Sequence, residues 1–358
     1  HLVIIIASLS NINLPLNPAS HRPQSDNHSP TPTILYNPAL LHCDDVSASV
    51  FTPQSTLGWF ALAIEEFIMQ YQGVCHKMHT ALAPLPSDAD APASAQVQYQ
   101  FVLDQEAVNA PFVLGQEIEL EWTGNIYCVS CGKKTPKSYA QGHCFKCFKT
   151  KAACDMCIMK PETCHYHLGT CREEPFAHEV CFQPHIVYLA NSSALKVGIT
   201  RLGQMPTRWL DQGATQALPI MQVGSRRLSG QLEVMFGEQV ADKTDWRKLL
   251  KGSAEPLNLV EVRAQLLEEF APKIENIRTQ FGANTEFSET IDILDQEETR
   301  EFIYPVDAYP AKIKSHNLDK TPTIRGTLQG IKGQYLLLDN GVINIRKYTG
   351  YELIVRIV

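Results

Sequence analysis

Residues 126–151 read IYCVSCGKKTPKSYAQGHCFKCFKTK. Within them Cys128-Val-Ser-Cys131 and Cys144-Phe-Lys-Cys147 are two CxxC turns with twelve residues between them. Two such turns present four thiolates to one tetrahedral zinc ion, the arrangement of a zinc ribbon. Gly132, Pro136 and Gly142 permit a tight hairpin between the two knuckles. Aliphatic side chains are too few here to bury four thiols, so metal has to supply the stability. No Asp or Glu occurs in the stretch, whereas Lys133, Lys134, Lys137, Lys146 and Lys149 alternate with Tyr127, Tyr139, Phe145 and Phe148. Lysines interleaved with aromatic rings suit phosphate contact and base stacking. Lys133, Lys134, Lys137 and Lys146 are therefore candidate nucleic-acid contacts.

A second cysteine group follows at Cys154-Asp-Met-Cys157, Cys164-His165-Tyr-His167, Cys171 and Cys181. It offers enough ligands for a second zinc, with Cys154, Cys157, Cys164, His167, Cys171 and Cys181 the candidates. Spacing leaves open which of Cys164, His165, His167, Cys171 and Cys181 complete the shell. Both sites are expected to be closed and structural, because four protein ligands are available at each. His178 and His185 read as surface or packing residues. Nine of the 11 cysteines lie between Cys128 and Cys181, and only Cys43 and Cys75 lie elsewhere. An odd count with CxxC pairs favours metal thiolates over disulfides and a reducing compartment, hence a cytoplasmic protein.

The 358 residues are 44% hydrophobic and 19% charged, an ordinary globular composition long enough for several domains. The formal net charge of −7 is segregated: residues 1–125 carry −10, 126–252 +7, 253–310 −9 and 311–358 +5. Basic blocks suit a polyanion, and the acidic ones keep the chain soluble, mask the basic faces or neutralise them across contacts. No apolar run reaches the roughly 18–20 residues of a membrane helix. Leu2 to Leu9 is too short, and the first basic residue is Arg22, so no membrane partner and no secretory leader are expected. The phosphate-binding loop, the dinucleotide GxGxxG and the G-x-S-x-G nucleophile elbow are all missing, which removes the commonest nucleotide and hydrolase chemistries.

The pattern predicts an α+β, multidomain chain: a β module, the zinc block, an α/β hairpin domain, an amphipathic helix and a small C-terminal β module. Residues 1–68 read as a poorly structured extension. Asn13 to Pro38 is rich in Pro, Ser, Asn and His, and only Leu57 to Tyr71 has a helical apolar pattern. The chain opens with His1, so Met69 is the expected start. Residues 69–125 alternate as strands, in Val97–Phe101 and Ile118–Trp122, and 126–184 are the zinc block. Residues 185–252 read strand, turn, strand, loop, helix. Residues 253–300 hold a helix from Asn258 to Phe281, striped by Leu259, Val262, Leu266, Phe270 and Ile274, and then an acidic linker. Residues 301–358 form the last β segment, with a hairpin turn at Asp339-Asn-Gly341.

The order Ile186-Val-Tyr-Leu-Ala190, Lys196-Val-Gly-Ile-Thr200, Thr207-Arg-Trp209 and Leu232-Glu233 resembles the GIY-YIG nuclease superfamily. In that superfamily a first strand carries Tyr, a second carries Tyr-Ile-Gly, a following helix an Arg and a later helix a metal-binding Glu. The resemblance implies that Tyr188 is the first tyrosine, Gly198 the second-motif glycine, Arg208 the arginine and Glu233 the carboxylate. It departs at Ile186, which replaces the first glycine, and at Lys196, which stands where the second tyrosine sits. Phosphodiester hydrolysis needs a deprotonated water, a clamp on the phosphorane charge and a cation at the leaving oxygen. Tyr188 would position or deprotonate the water, Lys196 anchor phosphate, Arg208 clamp it and Glu233 hold Mg2+ or Mn2+. Arg201 and Trp209 join the nucleic-acid contacts.

A longer resemblance covers residues 69–358. Cys128 to Ser138, Cys164 to Arg172, Val187 to Thr200, Pro206 to Gly213 and Gly341 to Arg346 are similar to the bacterial domain-of-unknown-function 2797 family. The expectation is a zinc-containing protein acting on DNA or RNA as a divalent-metal-dependent endonuclease. Its alternative is a non-catalytic nucleic-acid-binding module that keeps the fold as a relic.

Overall fold

The computed structural model describes residues 33–34, 69–83, 94–108, 112–240, 245–282 and 290–357. The extension expected over 1–68 falls outside these residues, apart from the two-residue strand Thr33–Ile34 paired with Gln70 and Met69. Tyr71, the last residue of the helix expected from Leu57, lies in a strand. The architecture is α+β and multidomain, with two large sheets, a cysteine cluster and helical segments. No helix among the described residues is long and apolar enough to cross a membrane.

Before the cysteines come β1 (Met69–Val74), β2 (His79–Leu82), β3 (Ser94–Gln100) and β4 (Glu117–Ile126). After them come β5 (His185–Asn191), β6 (Leu195–Arg201) and β7 (Gln216–Val223). Short β8 (Ile291–Ile293) and β9 (Arg300–Ile303) follow. The chain ends with β10 (Thr323–Lys332), β11 (Tyr335–Leu338), β12 (Gly341–Asn344) and β13 (Tyr351–Ile357).

The first sheet runs Thr33–Ile34, β1, β13, β4, β10, β11, β12. Two segments expected as separate β modules, 69–125 and 301–358, are thus interleaved strand by strand. The second sheet runs β2, β3, β9, β7, β5, β6, with β8 added on β7. Part of the N-terminal segment and part of the acidic linker therefore extend the central sheet, where β9 lies parallel to β3. Alternation in a strand reveals which face is buried but not which strand lies beside it, so the pairing is invisible to periodicity.

Strand β5 sits between β7 and β6 and is buried at all seven positions. Its side chains alternate between two cores. Ile186, Tyr188 and Ala190 join Tyr71, Phe101, Leu353 and Trp209 on one face. Val187 and Leu189 pack with Leu228, Phe236 and Phe270 on the other. A strand covered on both faces has to be apolar throughout, which is how it reads. The covering helices are α2 (Arg226–Phe236) and α3 (Leu259–Gly282), while the short α1 (Thr207–Asp211) follows β6. Ser225 caps α2 by accepting from the Leu228 amide. On α3, Leu259, Leu266, Phe270 and Ile274 are buried at helical spacing, so one stripe meets the sheet and the rest meets solvent.

Candidate functional site

Strand β4 leads directly into the first knuckle, which the C-terminal strand region braces: the Tyr127 amide donates to the Gly350 carbonyl at 2.7 Å. Gly132 takes φ +68° to close the first turn, and its amide donates to the Cys128 carbonyl at 2.8 Å. Gly142, at φ +111°, returns the chain so that its carbonyl accepts from Val129. Cys144 caps the short helix Phe145–Thr150, its sulfur accepting from the Cys147 amide at 3.5 Å. The sulfurs of Cys128, Cys131, Cys144 and Cys147 all lie within 4.8 Å of one another. Those of Cys131 and Cys144 are 3.9 Å apart. A tetrahedron with Zn–S of about 2.3 Å has edges of ~3.8 Å, so the set fits one tetrahedral ion. Burial opposes ionisation of Cys128, but the amides of Cys144, Ser130 and Cys131 outweigh it and draw the thiol down to about 6.

Around this cluster the lysines point outward: Lys133, Lys134, Lys137 and Lys146 are all exposed. Tyr139 stacks on Phe148 at 5.6 Å and tilts against Phe145 at 5.5 Å. Lys137 lies over the Tyr139 ring and Lys149 over that of Phe145. Phe145 is 51% exposed. Arg201, at the end of β6, is half-buried.

Trp209 requires a correction. It is fully buried, packed edge-on against Tyr188 at 5.8 Å and beside Phe302, so it is a core residue that no base can reach. Position alone suggested contact, because it follows Arg208. The helical turn sends consecutive side chains in different directions, however, and Trp209 takes the inward one.

In the second cysteine group one oxygen, sulfur and nitrogen of Asp155, Cys157 and His165 lie within 4.8 Å of one another. Asp155 also pairs with Arg172 at 2.6 Å. Cys154 belongs to neither cluster and lies within electrostatic reach of Arg172, Cys128, Glu173 and Cys144. His167 is exposed and outside both clusters. Its place in the second shell, expected from its spacing after Cys164, has no geometric support.

Of the residues aligned with the nuclease pattern, Arg208 and Glu233 lie within electrostatic reach of Tyr188 in the middle of the central sheet. Tyr188 is directly opposite Gly198 across β5 and β6. A Cβ on Gly198 would stand 2.7 Å from both Cζ and Oη of Tyr188, so glycine is what lets the ring lie across the hairpin. The Tyr188 hydroxyl donates to Gln212 Oε1 at 3.1 Å, and Lys196 Nζ donates to the same oxygen at 2.5 Å. Burial pushes the Tyr188 phenol up to about 12, against the pull of Arg208 and with the charge of Glu233 adding to the rise. Arg208 and Glu233 are both half-buried and both within electrostatic reach of Tyr188 and Arg226.

This arrangement changes two expected roles. Tyr188 is fully buried and Lys196 is 4% exposed. A neutral phenol whose proton rests on Gln212 is no base for water, and a lysine held on the same amide is not open to phosphate. Arg208 and Glu233, by contrast, are half-buried. Gln212 and Arg226 were not expected here. Gln212 lies four residues after Arg208 on one helical face, the spacing that could have marked it.

A family profile described as protein of unknown function (DUF2797) matches residues 115–353. No curated protein and no solved structure matches the chain. The matched stretch begins at the strand that carries the first knuckle and ends inside the last strand, taking in both cysteine groups and the Tyr188 hairpin. The chain belongs to the DUF2797 family.

Proposed function

We propose that this is a cytoplasmic, zinc-stabilised protein that binds nucleic acid through the outer face of its first knuckle. The observation that carries this reading is the exposed pair Phe145 and Phe148, stacked with Tyr139 and ringed by Lys137, Lys146 and Lys149 without an acidic neighbour in sequence. Exposed rings cost hydration unless something flat covers them, and lysines around them attract phosphate. In the unit 126–184 a ribbon-like zinc site at Cys128, Cys131, Cys144 and Cys147 holds this face rigid. Binding of fluorescent single-stranded DNA and RNA at low salt, weakening steeply as salt rises, tests the reading. Failure of both oligomers to bind at low salt overturns it.

A second reading concerns the unit 185–252, whose hairpin we take as GIY-YIG-like. The gathering of Tyr188, Arg208 and Glu233 favours a metal-dependent phosphodiesterase at the same protein. A bound Mg2+ or Mn2+ would supply positive charge at the leaving oxygen. Glu233 would hold it and Arg208 would clamp the phosphate, while Tyr188 and Lys196 would fix both through Gln212. Glu233→Ala should then abolish cleavage and keep oligonucleotide binding. If the unaltered protein binds strands yet never cleaves them with either cation, the binding module alone remains.

A further inference from the structure

We propose that Cys157, Cys164, Cys171 and Cys181 form a second closed zinc site, coordinated by sulfur alone, with Arg226 carrying its counter-charge. This rests on the zinc reading of the cysteine block and is independent of nucleic-acid binding. The four cysteines line one cavity of about 20 Å³, together with Asp155, His165 and Arg172 and with apolar walls that include Phe176 and Phe182. A cavity of that size is roomy enough for a water-sized species. Cys157 and Cys181 lie in short helical turns, Cys164 ends a third, and Cys171 lies between them in the chain. Four cysteines on one small cavity offer the donor set of a tetrathiolate site, and metal binding would draw their sulfurs together, since among the described residues only Asp155, Cys157 and His165 of this group have ligand atoms within 4.8 Å of one another.

The competing set, Asp155, Cys157 and His165, is the tighter one by distance, but its polar atoms are already engaged. Asp155 is neutralised by Arg172 at 2.6 Å and faces His165 Nε2 at 3.5 Å. The other ring nitrogen of His165 is 2.7 Å from Thr170 Oγ1. A metal there would have to break an ion pair and free a satisfied imidazole, so these residues read as a brace around the cysteines.

Charge provides the independent observation. Four S–H bonds lose their protons to solvent and four Zn–S bonds form, with no change of oxidation state, leaving the site with two negative charges. Arg226 stands beside it: its Nη2 donates to the Ile158 carbonyl at 2.7 Å, and its charge reaches Cys181 and Cys157. Its Nε is buried with no hydrogen-bond partner among the described residues. A buried guanidinium is stabilised by negative charge close by; Glu233 supplies part of it, and the zinc thiolates would supply the rest. Arg201 reaches Cys181 as well.

Arg226 is also the first residue of α2, the helix that carries Glu233. The cysteine block docks tightly on that helix. A Cβ on Gly230 would stand 2.7 Å from Pro161 Cβ and from the Glu162 amide, and Gln231 donates to the Glu162 carbonyl. The second zinc thereby locks the helix on which the candidate metal carboxylate sits.

The test uses the full chain. Elemental analysis should give two zinc ions, and X-ray absorption at the zinc edge should show sulfur at about 2.3 Å as the sole first-shell neighbour. Nitrogen or oxygen near 2.0–2.1 Å in at least two of the eight ligand positions would overturn the proposal, as would a single zinc per chain. This needs no variant and decides even where substitutions prevent folding. Cys164→Ser, Cys171→Ser and Cys181→Ser should each retain one zinc, and Cys154→Ser, His167→Ala and Asp155→Asn should retain two. Loss of a zinc in Asp155→Asn with two kept in Cys171→Ser would assign the site to the competing set. Arg226→Met should weaken retention of one zinc, and one only, by about 10–100-fold against a chelator; unchanged retention would remove the counter-charge role. A chain that binds two sulfur-ligated zinc ions but no oligonucleotide would refute the proposed function and leave this inference standing.

Discussion

Residues 126–184 and residues 185–223 are neighbours in the chain and are held together by different physics. In the first region the buried positions are scattered and small, Ala152 and Ala177 among them, and the regular elements are single turns. In the second region β5 is buried throughout and β7 at all but one position. One region lacks the apolar area to offset its conformational entropy, and on the zinc reading thiolate–metal bonds supply what burial does not. The other relies on burial alone. The two meet at α2, and the contrast predicts that each region fails under a treatment the other survives.

Removal of metal should have the largest effect. Cys128→Ser should lose one zinc and cost roughly 4 kcal/mol or more, the scale of breaking a structural metal site. Hydrogen exchange should then show residues 126–151 unprotected while β5 and β7 stay protected. Equal loss of protection in both regions would erase the distinction.

The next effect is acid sensitivity at the junction. His185 opens β5, is fully buried, and is pushed down to about 4 by burial, helped by the charges of Arg226 and Arg201. Its folded pKa lies below the unfolded value of about 6.5, so its contribution to stability is fully present above pH 6.5. That contribution is lost as pH falls from about 6.5 to about 4, amounting to ~3 kcal/mol at the lower end. Denaturant titrations of the protein and of His185→Gln should diverge across that window and run parallel above it. Parallel curves throughout would remove His185 from the account.

Gly198→Ala sharpens the apolar side of the contrast. The added methyl meets Tyr188 at 2.7 Å, and overpacking of this kind costs about 1–3 kcal/mol without releasing zinc. A zinc count that falls in this variant would show that the regions do not fail separately. The smallest effect on stability belongs to Phe145→Ala and Phe148→Ala, within about 0.5 kcal/mol because both rings are exposed. Each should nevertheless weaken single-strand binding by roughly tenfold, the value of one base–aromatic stack. Duplex binding weakened to the same degree would argue against stacking.

Much of the first metal site was legible. Cys128, Cys131, Cys144 and Cys147 are tied by short, local turns, and two CxxC knuckles have few ways to close. Gly198 could be placed against Tyr188 from the hairpin pattern, since a short turn sets the register of the strands it joins. The second candidate cluster was not legible, because Asp155, Cys157 and His165 belong to separate short segments that meet only in the folded chain. Trp209 and Tyr188 were misread in role for a related reason: residue type suggests what a side chain can do, and burial decides whether it can do it.

By itself the sequence determined the α+β class, the position of both cysteine groups, the alternation of the strands and the charge blocks, all of which depend on residues close together in the chain. Tertiary structure alone decided that β1 and β4 interleave with β10 and β13, and that Gln212 joins Tyr188 to Lys196. It also decided that Arg226 comes within electrostatic reach of Cys157, Cys181 and Glu233. The physical reason is the same in each case. Local pattern reports which side of an element is apolar, whereas the partner of that side is chosen by the total area buried when distant segments meet.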